Sequence, residues 1–251
     1  MAYDLNTKKV LVVGGSSGIG LATAEAAANL GAVVTIASRD ETRLRQAAST
    51  LRGDVSVRVL DVQKNESIVT MFEEIGPFDH IIVTASAAKA GPVRELALED
   101  AYASMDSKFW GAYRIAKAAR LTLNGSLTFV SGFLSQRPNA SAALQGAINA
   151  ALEGLVRGLA LEFAPKRVNA VSPGLIDTPI LAKMTPDKRK AMLENAKDNL
   201  PVHRVGAPED VAQAILFVAT NPYATGSVVT VDGGATIGSI NILAQAQPRH
   251  Q

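Results

Sequence analysis

Val10–Val13 is a four-residue apolar run, too short for a helix and stopped by Gly14-Gly15. The stretch Ile19–Leu30 then keeps Ile19, Ala22, Thr23, Ala26, Ala27 and Leu30 on one helical face until Gly31 ends it. This alternation of a short β-rich run with a longer helix-period run continues almost to the end of the chain. Further strands are expected at Val33–Ala37, Val55–Leu60, Ile81–Thr84, Ser126–Val130, Val168–Val171 and Val228–Val231. Helices are expected at Glu41–Leu51, Ser67–Ile75, Leu98–Leu123, Ser141–Phe163 and Pro208–Ala219. Strands separated by helices are most simply parallel, and strands apolar on both sides need helices on both faces. The expectation is α/β: one doubly wound parallel sheet in a single domain over residues 1–251. No repeat, linker or composition shift marks a boundary. Within it, 179–206 carries a helix start at Thr185-Pro186 and the charged run Asp187–Lys190. Such an insertion after a strand is either a substrate lid or a plain surface connection. The tail 245–251 has no readable role.

Composition removes whole classes of chemistry. With no cysteine in 251 residues, disulfides, thiolate nucleophiles, iron–sulfur clusters and cysteine zinc sites are excluded. His80, His203 and His250 lie far apart with no ligand spacing, so no metal is expected. A net charge of +2, scattered basic residues and 5% aromatics argue against nucleic acid. No apolar run approaches the roughly 18 residues that cross a bilayer, and Met1–Lys9 lacks a signal-peptide core. A cytoplasmic protein acting on a small molecule, without nucleic acid or membrane, is the resulting expectation.

The turn Val13-Gly14-Gly15-Ser16-Ser17-Gly18-Ile19-Gly20 joins the first strand to the first helix. Its glycines, spaced G-x-x-x-G-x-G, permit a tight turn and a close approach of backbone N–H groups to a pyrophosphate. The helix N-terminus adds partial positive charge. Gly14, Ser16, Ser17, Gly18, Ile19 and Gly20 are therefore the expected dinucleotide cradle. Ala37-Ser38-Arg39 closes the second strand. A carboxylate there would take the ribose 2′-hydroxyl of NAD, whereas the Arg39 guanidinium and Ser38 hydroxyl suit the 2′-phosphate of NADP. NADP(H) is favoured over NAD(H). In the competing arrangement Arg39 faces solvent and Asp40, which otherwise caps the next helix, takes the ribose.

Over roughly residues 6–236 the chain resembles the short-chain dehydrogenase/reductases. The likeness rests on the glycine spacing, Asp61-Val62, Arg167-Val168-Asn169-Ala170-Val171-Ser172-Pro173-Gly174 and Val231-Asp232-Gly233-Gly234. The resemblance implies that Asp61 and Val62 meet the adenine, and that Pro173 and Gly174 lie beside the nicotinamide. It also implies that Ile176 and Thr178 serve its carboxamide and the phosphates, and that Thr84, Ala85 and Ser86 replace an Asn-Asn-Ala-Gly segment. It further implies a homo-oligomer, tetramer or dimer, paired through Leu98–Leu123 and Ser141–Phe163; Ala142, Ala143, Gly146, Ala147, Ala150 and Gly154 suit close helix contact.

The same register shows where the family pattern fails. Gln145 stands at the usual catalytic Tyr, Asn149 at the Lys, Gly132 at the Ser and Lys108 at the Asn. An amide cannot deliver a proton, and loss of a general acid typically costs about 10²–10⁴ in rate. Asn149 stays in line with Gln145 on one helix face and still suits the ribose. Tyr113-Arg114-Ile115-Ala116-Lys117 has the lost spacing but precedes the serine strand, and reads as coincidence on a packing helix. Replacement chemistry can come from Ser131, polarising a substrate oxygen, or from Lys108, donating a proton or stabilising an oxyanion. Arg137 and His203 are weaker choices, each equally explained as surface residues, and Trp110 reads as packing. The main expectation is an NADP(H)-dependent oxidoreductase passing hydride to a carbonyl, enone or imine, with an atypical proton-delivery site. The alternatives are a non-catalytic NADP(H)-binding sensor or scaffold, and a non-redox enzyme using the same cleft.

Overall fold

The computed structural model describes residues 5–179, 181 and 184–238; the 245–251 tail lies outside them. Seven parallel strands form one sheet in the order β3-β2-β1-β4-β5-β6-β7. They are β1 (Lys9–Val13), β2 (Val33–Ser38), β3 (Val55–Val59), β4 (Phe78–Val83), β5 (Leu121–Val130), β6 (Arg167–Pro173) and β7 (Val228–Val231). The helices are α1 (Gly18–Asn29), α2 (Glu41–Thr50), α3 (Asn65–Glu74), α4 (Leu98–Met105), α5 (Gly111–Ala118), α6 (Ala143–Glu162), α7 (Pro186–Asn199) and α8 (Pro208–Thr220). The doubly wound α/β expectation holds.

Alternation along the strands builds two cores. Leu11, Val13, Ile81, Val83, Leu127 and Phe129 pack against Ile68 and Phe72 of α3, Ile115 of α5, and Leu152 and Val156 of α6. Val10, Val12, Val34, Ile36 and Ile82 face the other way, onto Ala24 and Ala27 of α1 and Val211 and Ile215 of α8. Each fully buried Ile or Leu contributes roughly 1.5–3 kcal/mol. Alanines on α1 let it lie close against the sheet.

One expected element divides. Leu98–Leu123 is not a continuous helix: α4 gives way to a π-helical turn at Asp106–Trp110, α5 ends at Ala118, and the chain re-enters the sheet at Leu121. Leu121 pairs with Phe78, and the register shifts before His80 meets Ser126. Gly125 makes the irregularity possible, because a Cβ there would stand 3.0 Å from the Asp79 carbonyl oxygen. Leu121 and Leu123 fit helical and strand periods alike, which is why the sequence pattern alone extends the helix too far.

A polar cluster ties β4, β5 and β6 to the end of α8. Arg167 donates to the carbonyls of Val218 and Ala219, helix-end acceptors that have no intrahelical partner, and to that of Ala224 in the loop beyond. Ser126 Oγ donates to the Ala219 carbonyl at 3.0 Å, so its oxygen receives the Nδ1 proton of His80 at 2.8 Å. Burial first, and then the Arg167 charge, push the His80 imidazole down to about 4. A lowered histidine favours folding fully above its unfolded value near 6.5 and loses that contribution as pH falls toward 4. Between pH 7 and pH 5 the wild type should therefore lose about 2 kcal/mol more stability than His80→Asn, measured by urea unfolding at both pH values.

Candidate active site

The strand order reverses between β1 and β4, so the connections leaving them go to opposite faces and open a crevice at the C-terminal edge of the sheet. The turn after β1 fills that crevice with backbone. A Cβ on Gly20 would stand 2.2 Å from the Gly14 carbonyl oxygen, and one on Gly14 would stand 2.5 Å from Thr84 Oγ1. Thr84 closes the other side, its amide donating to the Val13 carbonyl at 2.8 Å and its hydroxyl reaching the Val13 carbonyl at 3.2 Å. Ala85 N also donates to Val13, while Ser86 is exposed beyond it. Gly18 opens α1 directly beneath Thr178, whose Cγ2 would lie 3.3 Å from an added Cβ. Ser16 is half-buried. Ser17 stands at the N-cap of α1, but its hydroxyl makes no capping bond, and Ile19 packs on the core.

Other residues expected to hold a cofactor ring the same edge. Ser38 Oγ is buried without a hydrogen-bond partner, and Arg39 beside it is exposed. Asp40 instead caps α2, accepting from Arg43 N at 3.0 Å. Asp61 accepts from Gln63 N at 3.0 Å as α3 approaches, and Val62 is buried under Gly111. Gly174 lies so close to Asp232 that a Cβ would stand 2.6 Å from the Asp232 Cα. Pro173 ends β6, and Ile176 is buried, bridging to Gly206 at the base of the 179–206 segment. The Cβ-free turn and the uncommitted Ser17 and Ser38 hydroxyls together fit a dinucleotide.

The catalytic corner is more changed. Lys108 sits in the π-turn, an irregularity that often marks functional sites. Its Nζ donates to Asn149 Oδ1 and to the Ser131 carbonyl, each at 2.6 Å. Two residues far apart in sequence thus meet side chain to side chain. Burial pushes the Lys108 ammonium down to about 8, with Glu153 opposing the fall. Asn149 turns its Nδ2 toward Gly132, where a Cβ would stand only 2.8 Å away. Gln145 Nε2 extends toward the Ala88 carbonyl at 3.5 Å, the outer limit of a hydrogen bond.

Ser131 is buried, and its hydroxyl is donated to Glu153 Oε1 at 2.8 Å; a substrate oxygen would have to compete for it. Glu153, absent from the sequence reading, is therefore central to this corner. Its signal was available: it lies four residues beyond Asn149 and eight beyond Gln145, an acid in line with the two amides on one helix face. Arg137 donates to the Gly238 carbonyl, and the exposed His203 bonds the Lys197 carbonyl, so neither is free in the cleft. Tyr113 lies on the surface, edge-on to Trp110 with ring centroids 5.7 Å apart, and Lys117 is exposed as well.

The flanking segments are firmly anchored. Ser107 Oγ and Ser104 Oγ accept from Ala87 N and Lys89 N, fixing the connection after β4. Ala196 and Leu200 of α7 pack with Ala235, Phe133 and Leu175, while Arg189 grips Asp177 at 2.7 Å. No described helix is long and apolar enough to cross a membrane.

A family model described as enoyl-(acyl carrier protein) reductase matches residues 13–236. The chain belongs to the short-chain dehydrogenase/reductase family. It is 32% identical over 237 residues to a human 3-oxoacyl-[acyl-carrier-protein] reductase, covering 90% of this chain and 97% of that protein. A small-chain dehydrogenase solved in complex with NADPH is 39% identical, covers 93% of this chain and 100% of its own, and superposes with a TM-score of 0.80. An NADPH-bound short chain oxidoreductase from Pseudomonas aeruginosa, described as containing an atypical catalytic center, is 30% identical with coverages of 93% and 98% and a TM-score of 0.83.

A serine introduced at residue 132 should not improve the site. The Cβ of Gly132→Ser would press on Asn149 Nδ2 and disturb the Lys108–Asn149 bond. Thermal unfolding should show a loss of about 1–3 kcal/mol, the usual range for overpacking, and turnover should fall, not rise.

Proposed function

We propose that this short-chain dehydrogenase/reductase is an NADP(H)-dependent reductase of a small carbonyl, enone or imine, with Lys108 in place of the missing proton donor. The observation that carries the reading is the buried Lys108 ammonium, bonded to Asn149 and lowered to about 8. A donor in that range is largely protonated at neutral pH yet gives its proton readily. The nicotinamide supplies the hydride when bound. Lys108 protonates or electrostatically stabilises the oxygen or nitrogen that gains negative charge, Asn149 holds Lys108 and the ribose, and Gln145 orients the substrate by hydrogen bonding. Ser131 fixes the corner through its carbonyl and hydroxyl.

Gly14, Ser16, Ser17, Gly18, Ile19 and Gly20 hold the diphosphate, and Ser38 with Arg39 the 2′-phosphate. Asp61 and Val62 border the adenine; Thr84, Ala85, Ser86, Pro173, Gly174, Ile176 and Thr178 enclose the nicotinamide half. In this reading α7 and its flanks serve as the substrate lid. The protein works as a homo-oligomer, dimer or tetramer, through the open face of α6. There Gly154 and Gly158 have no neighbour within 4 Å, and Trp110 nearby in sequence on the π-turn is 46% exposed. Gly146 belongs to a different contact, since a Cβ there would stand 2.8 Å from the Leu134 carbonyl oxygen.

Saturable NADPH oxidation across a panel of ketones, enones and imines tests the reading, and no turnover by cofactor-loaded protein would sink it. Lys108→Met should lower kcat by about 10²-fold or more while NADPH affinity changes little. Arg39→Ala should weaken NADPH binding about 10–100-fold in calorimetry and leave NADH binding nearly unchanged, as expected for loss of one charge-assisted contact.

A further inference from the structure

We propose that Glu153 is the positioning residue that keeps the Lys108 ammonium charged and fixed, acting through Ser131; the inference rests on the reading of Lys108 as the site's cation. Glu153 lies one helical turn past Asn149 on α6 and is only 7% exposed. One of its oxygens accepts two hydroxyls, from Ser131 at 2.8 Å and Ser135 at 2.7 Å. Ser131 faces both ways: its hydroxyl goes to Glu153, and its carbonyl receives Lys108 Nζ. Ser131 is thus held from two sides, its hydroxyl by the carboxylate and its main-chain carbonyl by the ammonium. Ser135, at the end of the 3₁₀ turn Phe133–Ser135, secures the loop that continues from β5 to the same carboxylate.

Two hydroxyl donors do not by themselves call for a charged acceptor. An amide oxygen accepts hydroxyls equally well, and burying a carboxylate costs several kcal/mol more than burying an amide unless a cation faces it. Lys108 is the cation bonded to the same serine, and the Glu153 charge opposes the effect of burial on it. The other charged groups on the elements around the π-turn are engaged or exposed. Asp106, on the turn itself, pairs with Arg114 of α5 at 2.6 Å, and Asp100 of α4 with Lys89 at 2.7 Å. Glu99, Lys117 and Arg157, on α4, α5 and α6, are exposed. Only Glu153 combines burial with a hydrogen bond to the serine that Lys108 also holds.

Glu153→Gln keeps an oxygen for Ser131 and Ser135 and removes the charge. The direct test is the Lys108 titration in cofactor-free protein, followed by NMR of lysine labelled at Cε and assigned by the signal lost in Lys108→Met. The wild-type midpoint near 8 should fall by about one pH unit or more in Glu153→Gln, the usual size of losing a close opposite charge. The basic limb of the kcat profile should move down by the same amount, a change that a merely structural role for Glu153 would not produce. Glu153→Asp, which keeps the charge but withdraws it, should show a smaller shift in the same direction and decides the question if the Gln variant does not fold. An unmoved Lys108 titration overturns the proposal even where turnover falls. A shifted titration in protein that reduces no substrate upholds the Glu153–Lys108 coupling and refutes only the reductase reading.

Discussion

The backbone contact between the ends of β1 and β4 governs what this fold can do. At the strand-order reversal, the Gly14 turn and the Thr84 segment approach so closely that neither Gly14 nor Gly20 has room for a Cβ. That approach gathers main-chain N–H groups at the start of α1 and leaves a crevice beside them. Gly14, Ser38, Asp61, Thr84, Ser131, Gly174 and Asp232 all lie at or just past strand ends. Parallel pairing brings these sequence-distant residues to one edge. The apolar faces of the sheet, covered by α1 and α8 on one side and by α3, α5 and α6 on the other, hold that edge rigid.

Beside the crevice the dominant interaction is electrostatic. A buried ammonium is costly unless its donors are satisfied, and two of the three on Lys108 reach an amide oxygen and a carbonyl at 2.6 Å each. Its entry depends on the π-turn, which interrupts the helix between Met105 and Gly111. The extra residue in such a turn rotates the side chains that follow relative to an unbroken α-helix.

Much of the fold was legible because hydrophobic periodicity and glycine punctuation agree with it at nearly every element. The failure at Leu98–Leu123 has a local cause: Leu121 and Leu123 suit either period, and neither the π-turn nor the shift at Phe78 has a sequence signature. The close-packed glycine turn was equally legible, since it is built of backbone and advertised by glycines. The catalytic corner was not. Spacing identified Lys108 and Asn149 as substitutions, but only the packing of the π-turn against α6 reveals that they meet. Glu153 passed unnoticed because a lone acid on a helix reads as a solvated residue until Ser131 and Ser135 are seen to bond it.

Lys108, Gly132 and Asn149, three of the positions where the expected register departs from the family pattern, touch one another. Lys108 reaches inward to the oxygen that Asn149 presents. Asn149 turns its Nδ2 toward residue 132, where a methyl carbon would stand at 2.8 Å, so a serine there would require the Asn149 amide to move. The neighbouring Ser131 links the strand to Glu153. Lys108, Asn149 and Gly132 therefore fit one another as a unit, and the proposed role of Lys108 draws its support from that mutual fit.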